Sequence, residues 1–249
     1  MQILYDNHIE NATITPSTEN PEYDFDTALN DTRLSRVGRT TSDTNQNIVF
    51  SFTGTVDVTY IALLTNNLTS GATVTIEANS SDSWGAPPVQ ETLTYYDGYW
   101  VTSFTQETYQ YWRLTIDDSS NPDGYLELSY VFLGESLAMP PMLRNQKLPK
   151  TTTSTSQKSK RGQLYGNREL IVRTANINFA QAIADSYKTN IDTFFEAVET
   201  IKPFIMLVWE NSLDVEPPMY CNLTKNLEWS RAKGEDVTWN LTIDVEECF

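Results

Sequence analysis

The sequence predicts a mainly β protein in two parts: a β-sandwich, followed by a smaller α+β domain with one helix on an antiparallel sheet. Three observations carry this. Short alternating segments separated by Gly, Pro, Asn and Asp turns run from the start to Leu133 without a helical period. Helical spacing of apolar residues occurs once, between Phe179 and Ile201. Between these regions the charge reverses: residues 142–173 hold eight of the 17 basic residues against one acid, Glu169, in a chain of net charge −16. Four arginines and 19 acids precede that stretch, and five basic residues and 13 acids follow it. A chain of 249 residues with such a break has room for two cores, expected at 1–138 and 167–249 and joined by a basic flexible linker at 139–166. Thirteen Tyr, ten Phe and six Trp, with Thr, Ser and Asn at the polar positions, suit sheets better than helical bundles.

In order along the chain, residues 3–15 supply a first strand, and the turn-rich, acidic 16–26 (PSTENPEYDFD) reads as a long loop. Three arginines follow in 28–41 (ALNDTRLSRVGRTT). Residues 47–53 place Ile48, Phe50 and Phe52 on one face, and 56–64 (VDVTYIALL) run from alternation into a fully apolar stretch, so both are core strands. Residues 72–78 (ATVTIEA) make another strand, and 79–88 (NSSDSWGAPP) a loop. Tyr95, Tyr96 and Tyr99 flank an Asp97-Gly98 turn ahead of a strand at 100–104, a hairpin pattern. Residues 110–117 and 125–133, separated by SSNPDG, are expected to pair with each other. Residues 151–159 (TTTSTSQKS) contain no apolar side chain and are expected to form a mobile solvated loop. Then 168–177 alternate as a strand. The stretch 179–201 carries Ile183, Ala184, Tyr187, Ile191, Phe194, Phe195 and Val198 as one stripe, with Asn178 as cap and Pro203 as terminator. A buried strand at 204–209 and three more at 219–223, 227–231 and 237–245 complete the α+β part.

Composition narrows the chemistry. An acidic chain does not grip nucleic acid across its surface, because phosphate binding needs clustered Lys and Arg. No apolar run approaches the length that spans a bilayer, and MQILYDNHIE does not read as a signal peptide. Cys221 and Cys248 are expected as two free thiols, with pairing left open. The six Asn-x-Ser/Thr triplets, at Asn11, Asn30, Asn67, Asn79, Asn222 and Asn240, are what a chain rich in Asn and Thr produces by chance. The single histidine, His8, has no second histidine to share a metal and no evident nucleophile to serve, so its expected role is structural. Ten glycines leave no phosphate-cradling loop. Glu19, Glu22, Asp24, Asp26 and Asp31 are the most site-like carboxylates; Asp24, Asp26 and Asp31 are candidate calcium ligands, against the reading of a solvated acidic loop. Asp117, Asp118 and Asp123 read more simply as a turn. No cofactor is expected beyond that calcium. Trp84, Tyr96, Tyr99 and Trp100 are candidate contacts for a glycan or a protein partner, since aromatic faces bury much area at low rotamer cost.

Two resemblances add to this. An early segment with Asn30, Asp31, Arg33, Ser35, Gly38, Arg39 and Thr40, the strand VTYIALL, and the late YWRLTI and LELSYVFLG strands resemble discoidin-like, galactose-binding-type jelly rolls. That likeness implies a jelly-roll sandwich able to hold a glycan, a lipid head group or a structural calcium. The order LGESLAMPPMLRNQ, GQLYGNREL, a strand, ADSYKTNIDTFFEAV, PFIMLVW and WNLTIDVEE resembles the C-terminal part of tail and baseplate proteins of tailed bacteriophages. It implies a small α+β unit joining copies of the chain in a ring at the distal tail.

The leading functional expectation is therefore a structural virion protein, made in the host cytoplasm and carried in the tail. Its partners would be other copies of itself and neighbouring tail-tube and baseplate proteins. Lys147, Lys150, Lys158, Lys160 and Arg161 would form an inter-subunit arm lying on acidic bodies. The alternative is a carbohydrate-binding adhesin whose first domain recognises a bacterial surface glycan. An enzyme is the weakest class, because paired carboxylates can be proposed in any chain with 33 acids and only their spacing would decide.

Overall fold

The computed structural model describes residues 1–96, 98–142, 148–152, 155–167, 171–179, 183–209, 213, 216–231 and 238–248. The chain is mainly β, with antiparallel sheets and one main helix, and it forms two compact units. One unit contains Gln2–Leu137 together with Leu207–Pro218; the other contains Ala138–Met206 and Met219–Cys248.

The first unit carries β1 (Gln2–Leu4), β2 (Thr13–Pro16), α1 (Phe25–Leu29), β3 (Gly38–Arg39), β4 (Gln46–Leu63), β5 (Thr73–Asn79), β6 (Val89–Thr92), β7 (Thr94–Tyr96), β8 (Tyr99–Asp117), β9 (Glu127–Leu128), β10 (Val131–Gly134) and β11 (Leu137–Ala138). Two long strands dominate it. β4 has 18 residues and β8 has 19, and they pair antiparallel from Gln46 opposite Ile116 to Leu63 opposite Trp100. Register shifts between Ser51 and Val56 and between Val58 and Tyr60 bend this ribbon, as bulges do. The first half of β4 pairs with β2 and the second half of β8 with β5, which in turn pairs with β6. The second half of β4 pairs with β10, and the start of β8 with β7. Each long strand therefore belongs to both layers of the sandwich. Ile48, Phe50, Val74, Ile76, Trp112 and Leu114 from one layer share a core cluster with Val58, Ile61, Leu63, Trp100, Val131 and Leu133 from the other.

Local chemistry closes the ends of this unit. Asn7, buried, donates its side-chain amide to the Val131 carbonyl at 2.8 Å and accepts from the Leu133 N–H at 3.0 Å and the Ile9 N–H at 3.3 Å. Gly134 has no room for a side chain: a Cβ there would lie 2.4 Å from the Asp6 carbonyl oxygen. α1 begins at the end of the segment expected to be loop, 16–26, and runs past it. Asp24 accepts the Thr27 N–H at 2.7 Å as its N-cap, and Phe25, Ala28 and Leu29 are buried. Five residues are too few to show a helical period, so the sequence pattern missed it. Two expected strands at 47–53 and 56–64 are the single bent β4. The expected pairing of 110–117 with 125–133 is replaced by β10 on β4 and β9 on β3, because the SSNPDG turn leads back to β4 rather than along β8. The hairpin through Gly98 is present, with Tyr96 opposite Tyr99 and Gly98 at φ 94°.

The second unit carries β12 (Lys150–Thr152), β13 (Thr155–Lys158), β14 (Leu164–Asn167), β15 (Ile171–Asn178), β16 (Ile183–Ala184), α2 (Asp185–Val198), β17 (Phe204–Leu207), β18 (Met219–Leu223), β19 (Ser230–Arg231), β20 (Thr238–Asn240) and β21 (Thr242–Glu247). β17, β18, β21, β15 and β12 lie side by side in that order, and β16, β20 and β19 form a smaller sheet. α2 buries Ile191, Phe194 and Val198, and Phe194 meets the Phe204 ring edge-on at 5.0 Å, so the helix lies on β17. The helix is shorter than the expected 179–201 and Asn178 does not cap it. Asn178 ends β15, Ala184 occupies the N-cap position without a side-chain bond, and Glu199 at φ 48° ends the helix before Pro203.

The mobile loop expected at 151–159 is also corrected. Lys150–Thr152 pairs with β15, and Thr155–Lys158 pairs with Leu164–Asn167 as a hairpin turned at Ser159–Gly162. A run of β-branched threonines suits extended backbone even where nothing apolar is available to bury, and pairing supplies the backbone bonds. The described parts of the linker expected at 139–166 thus group with the second unit, and 143–147 and 153–154 lie outside the described residues. Arg173, counted in the basic stretch, is not on the surface. It faces inward in register with Ala175 and Ile177 and bonds Glu247 through Nε at 2.9 Å and a terminal nitrogen at 2.6 Å, both side chains about 10% exposed. Cys221 and Cys248 are free thiols.

Candidate functional site

The strongest constellation lies on the outer face of the layer containing β5, β6, β8 and the first half of β4. Strand alternation puts it there. Val74, Ile76, Ala78, Trp112, Leu114 and Ile116 point into the core, so Thr75, Glu77, Arg113 and Thr115 point out. Register then aligns Gln90, Glu77, Arg113 and Val49 in one cross-strand row and Thr92, Thr75, Thr115 and Asn47 in the next.

Arg113 is the hub. Its Nε donates to Glu77 Oε2 at 2.6 Å, and Gln90 Nε2 donates to the other carboxylate oxygen at 3.1 Å. Glu77 is only 5% exposed, so the pair is held in a poorly solvated place and the guanidinium is fixed in direction. The loop after β5 folds back over this row. Asn79 donates to the Ser83 carbonyl at 2.6 Å, Trp84 Nε1 donates to Asp82 at 2.7 Å, and the Trp84 ring lies 4.5 Å from the Arg113 guanidinium carbon. Beside Arg113 opens a cavity of about 190 Å³, lined by Asn45, Asn47, Thr73, Thr115 and Asp117 among others. The Arg113 guanidinium, the Asp117 carboxylate, the Asn45 and Asn47 amides and the Thr73 and Thr115 hydroxyls converge on a space suited to one sugar ring, while the half-buried Trp84 indole does not line that space and lies against Arg113. Such a ring offers an apolar face to stack and hydroxyls that both donate and accept.

The aromatic side chains singled out from the sequence do not gather into one surface. Trp84 is at the site. Tyr96 and Tyr99 sit half-buried on the β7–β8 hairpin of the other layer, where Tyr96 lines a separate cavity of about 170 Å³ with Tyr60, Thr94 and Leu213. Trp100 is a correction: it is 3% exposed, belongs to the core cluster and meets Tyr95 edge-on at 5.2 Å. It comes directly after Tyr99, so strand alternation turns it inward. Arg113, Glu77 and Gln90 were not anticipated. The available signal was that Arg113 is one of only four basic residues before Arg144 and stands alone in an alternating strand.

The candidate calcium ligands are each occupied locally. Asp24 caps α1, and hydrogen bonds from Thr27 lower its pKa. Asp26 accepts from Asn30 at 3.2 Å. Asp31 pairs with Arg33 at 2.5 Å and Arg36 at 3.1 Å, and the Arg33 hydrogen bond brings its pKa down to about 2. Among the described residues no group of three or more His, Cys, Asp and Glu is placed to hold a metal ion. In the same region Arg39 is stacked between Tyr23 and Tyr125, at 4.0 and 4.2 Å, and pairs with Glu127, a structural clamp across β3 and β9. Asp118 ties two loops together. It is 1% exposed and accepts from the Thr69 N–H at 2.8 Å, the Thr69 hydroxyl at 2.6 Å and Asn121 at 3.1 Å. His8 Nε2 lies 3.0 Å from the Asp57 carbonyl oxygen.

Of the basic arm, Lys150 is exposed on β12, and Lys158, Lys160 and Arg161 are exposed at the end of the β13–β14 hairpin. Lys147 lies outside the described residues. Among the described residues no helix is long and apolar enough to cross a membrane.

No family model and no curated protein matches the chain. Solved structures similar to it cover about half its length. A fucose-binding module of Streptococcus pneumoniae is 10% identical, with 52% of this chain and 95% of that one covered and a TM-score of 0.43. A family 32 carbohydrate-binding module of Clostridium perfringens NanJ, solved with galactose, is 12% identical, with 53% and 98% covered and a TM-score of 0.42. The lectin domain of lectinolysin, solved with Lewis B antigen, is 12% identical, with 53% and 98% covered and a TM-score of 0.44.

Proposed function

We propose that this chain is a non-catalytic carbohydrate-binding protein whose sandwich holds a glycan on the face built around Arg113. One observation carries the reading. Arg113 is held by Glu77, which Gln90 holds in turn, is stacked by Trp84, and borders a polar cavity, where its remaining N–H donors can meet the hydroxyls of a bound ring. This reverses the order of the expectations, with the adhesin placed ahead of the virion subunit. A glycan array followed by calorimetry on the full chain tests it. Binding is lost in Trp84→Ala and Arg113→Met and retained in Tyr96→Ala and Tyr99→Ala. Equal binding by Arg113→Met and wild type overturns the assignment.

A second reading rests on a different observation. In a chain of net charge −16, Lys158, Lys160 and Arg161 are displayed together at a hairpin end, which suits docking on an acidic copy of the same chain, as in a ring-forming subunit of a virion tail. The readings are compatible. Light scattering at rising protein concentration and low salt tests the second: assembly that is weakened by salt and by Lys158→Glu/Lys160→Glu supports it, and a monomer under all conditions removes it.

A further inference from the structure

The second unit carries a groove that neither reading uses. It runs along the outer face of β15 and β21, where Thr174, Asn176 and Asn178 stand opposite Glu246, Asp244 and Thr242. The inward neighbours Ala175, Ile177, Ile243 and Val245 are buried, so this polar row is the solvent side of the sheet. Two cavities open along it, of about 570 and 490 Å³, and share Asn178, Lys225 and Asp244 in their walls. Asn240 and Glu228 line the first, and Pro149 and Glu246 line the second. From Glu246 to Asn240 the floor extends roughly 20 Å at about 3.4 Å per residue.

The lining is organised. Asn176 Nδ2 donates to Asp244 at 2.5 Å, Lys225 Nζ donates to the other Asp244 oxygen at 2.9 Å, Asn178 donates to Asn176 at 2.7 Å, and the Thr242 hydroxyl donates to Asn178 at 2.9 Å. The hydrogen bonds from Asn176 and then Lys225 also hold the Asp244 carboxyl below its usual range, so it remains an acceptor at neutral pH. We propose that this groove is a second saccharide site, taking a linear oligosaccharide of neutral or amino-bearing sugars.

Three features select that class. Amides and hydroxyls both donate and accept, as sugar hydroxyls require. Among the described residues of the lining, Glu228, Asp244 and Glu246 outnumber Lys225, and this negative balance repels uronates and phosphates. β21 is hydrogen-bonded to β15 along Thr242–Glu246 and to β18 at Val245–Glu247, and the Asp244 carbonyl accepts from the Thr224 N–H, which leaves only a two-residue edge at Thr242–Ile243, too short for an extended peptide to add as a strand. The floor length fits several sugars rather than one, in contrast to the smaller cavity beside Arg113.

The experiment titrates cellotetraose, chitotetraose, tetraglucosamine and tetragalacturonate into the full chain, observed by NMR shifts and calorimetry. The variants are Asn176→Ala, which removes a lining amide from an exposed strand position, and Thr242→Trp, which fills the groove without touching the core. Arg113→Met is run in parallel so that loss at the sandwich is read separately. The expected result is that one or more of the first three sugars shifts β15 and β21 amides, that both groove variants weaken this about tenfold or more, and that Arg113→Met leaves it unchanged. The proposal is overturned if no tetrasaccharide perturbs these strands, if tetragalacturonate binds tightest, or if both groove variants bind as wild type.

Discussion

Replacing Glu247 by Ala removes a carboxylate bonded to Arg173, at a position where both side chains are about 10% exposed. Glu247 takes three bonds from Arg173: the backbone N–H at 3.0 Å, Nε at 2.9 Å and a terminal nitrogen at 2.6 Å. Breaking a buried pair from one side typically costs about 3–5 kcal/mol, because the remaining charge loses its closest compensation where little solvent reaches it. At about 4–8 °C per kcal/mol for a unit of this size, melting falls by more than about 12 °C. Replacing both partners with apolar groups of similar volume, Arg173→Met with Glu247→Leu, is expected to be near neutral, because the desolvation cost of both charges disappears together. Denaturant unfolding gives the stability, and hydrogen exchange at β15 and β21 localises the loss. If Glu247→Ala lies within about 1 kcal/mol of wild type, or if the double variant is as damaged as the single one, the pair is not buried as described.

Four further outcomes follow from the geometry. Gly38→Ala puts a Cβ 2.3 Å from the buried Phe25 ring and is expected to cost about 1–3 kcal/mol by overpacking, measured by denaturant unfolding. Asp118→Ala leaves the Thr69 N–H without its side-chain acceptor and the Asn121 amide with the Asn67 carbonyl alone, and is expected to cost about 2 kcal/mol or more while raising exchange in both loops. Asp31, with its pKa lowered from 3.8 to about 2, stabilises the folded state above pH 3.8 and loses that contribution as pH falls towards about 2; an NMR titration gives its midpoint, and Asp31→Asn flattens acid sensitivity in that window. Burial raises both thiols, Cys221 well above its usual range and Cys248 to about 11, so neither reacts with iodoacetamide at pH 8 until denaturant is added.

Much of the architecture was legible because core strands obey a period of two. Ile48, Phe50 and Phe52, and Val74 and Ile76, announce their face in one line of sequence. The α2 stripe did the same through Ile191, Phe194 and Val198. Illegible features were those set by partners far along the chain. Nothing near Arg113 says that Glu77, 36 positions away, will be its neighbour, and nothing near Arg173 points to Glu247, 74 away. Trp100 was misassigned because an aromatic next to a turn reads as surface until register shows which way it faces. The threonines of β12 and β13 read as loop because their strands are justified by backbone pairing rather than by burial.

The sharing of β4 and β8 by both layers has a mechanical consequence. Because β4 and β8 run as continuous backbone through both layers, neither layer can come apart while their shared ladder holds, and losing that ladder undoes both together.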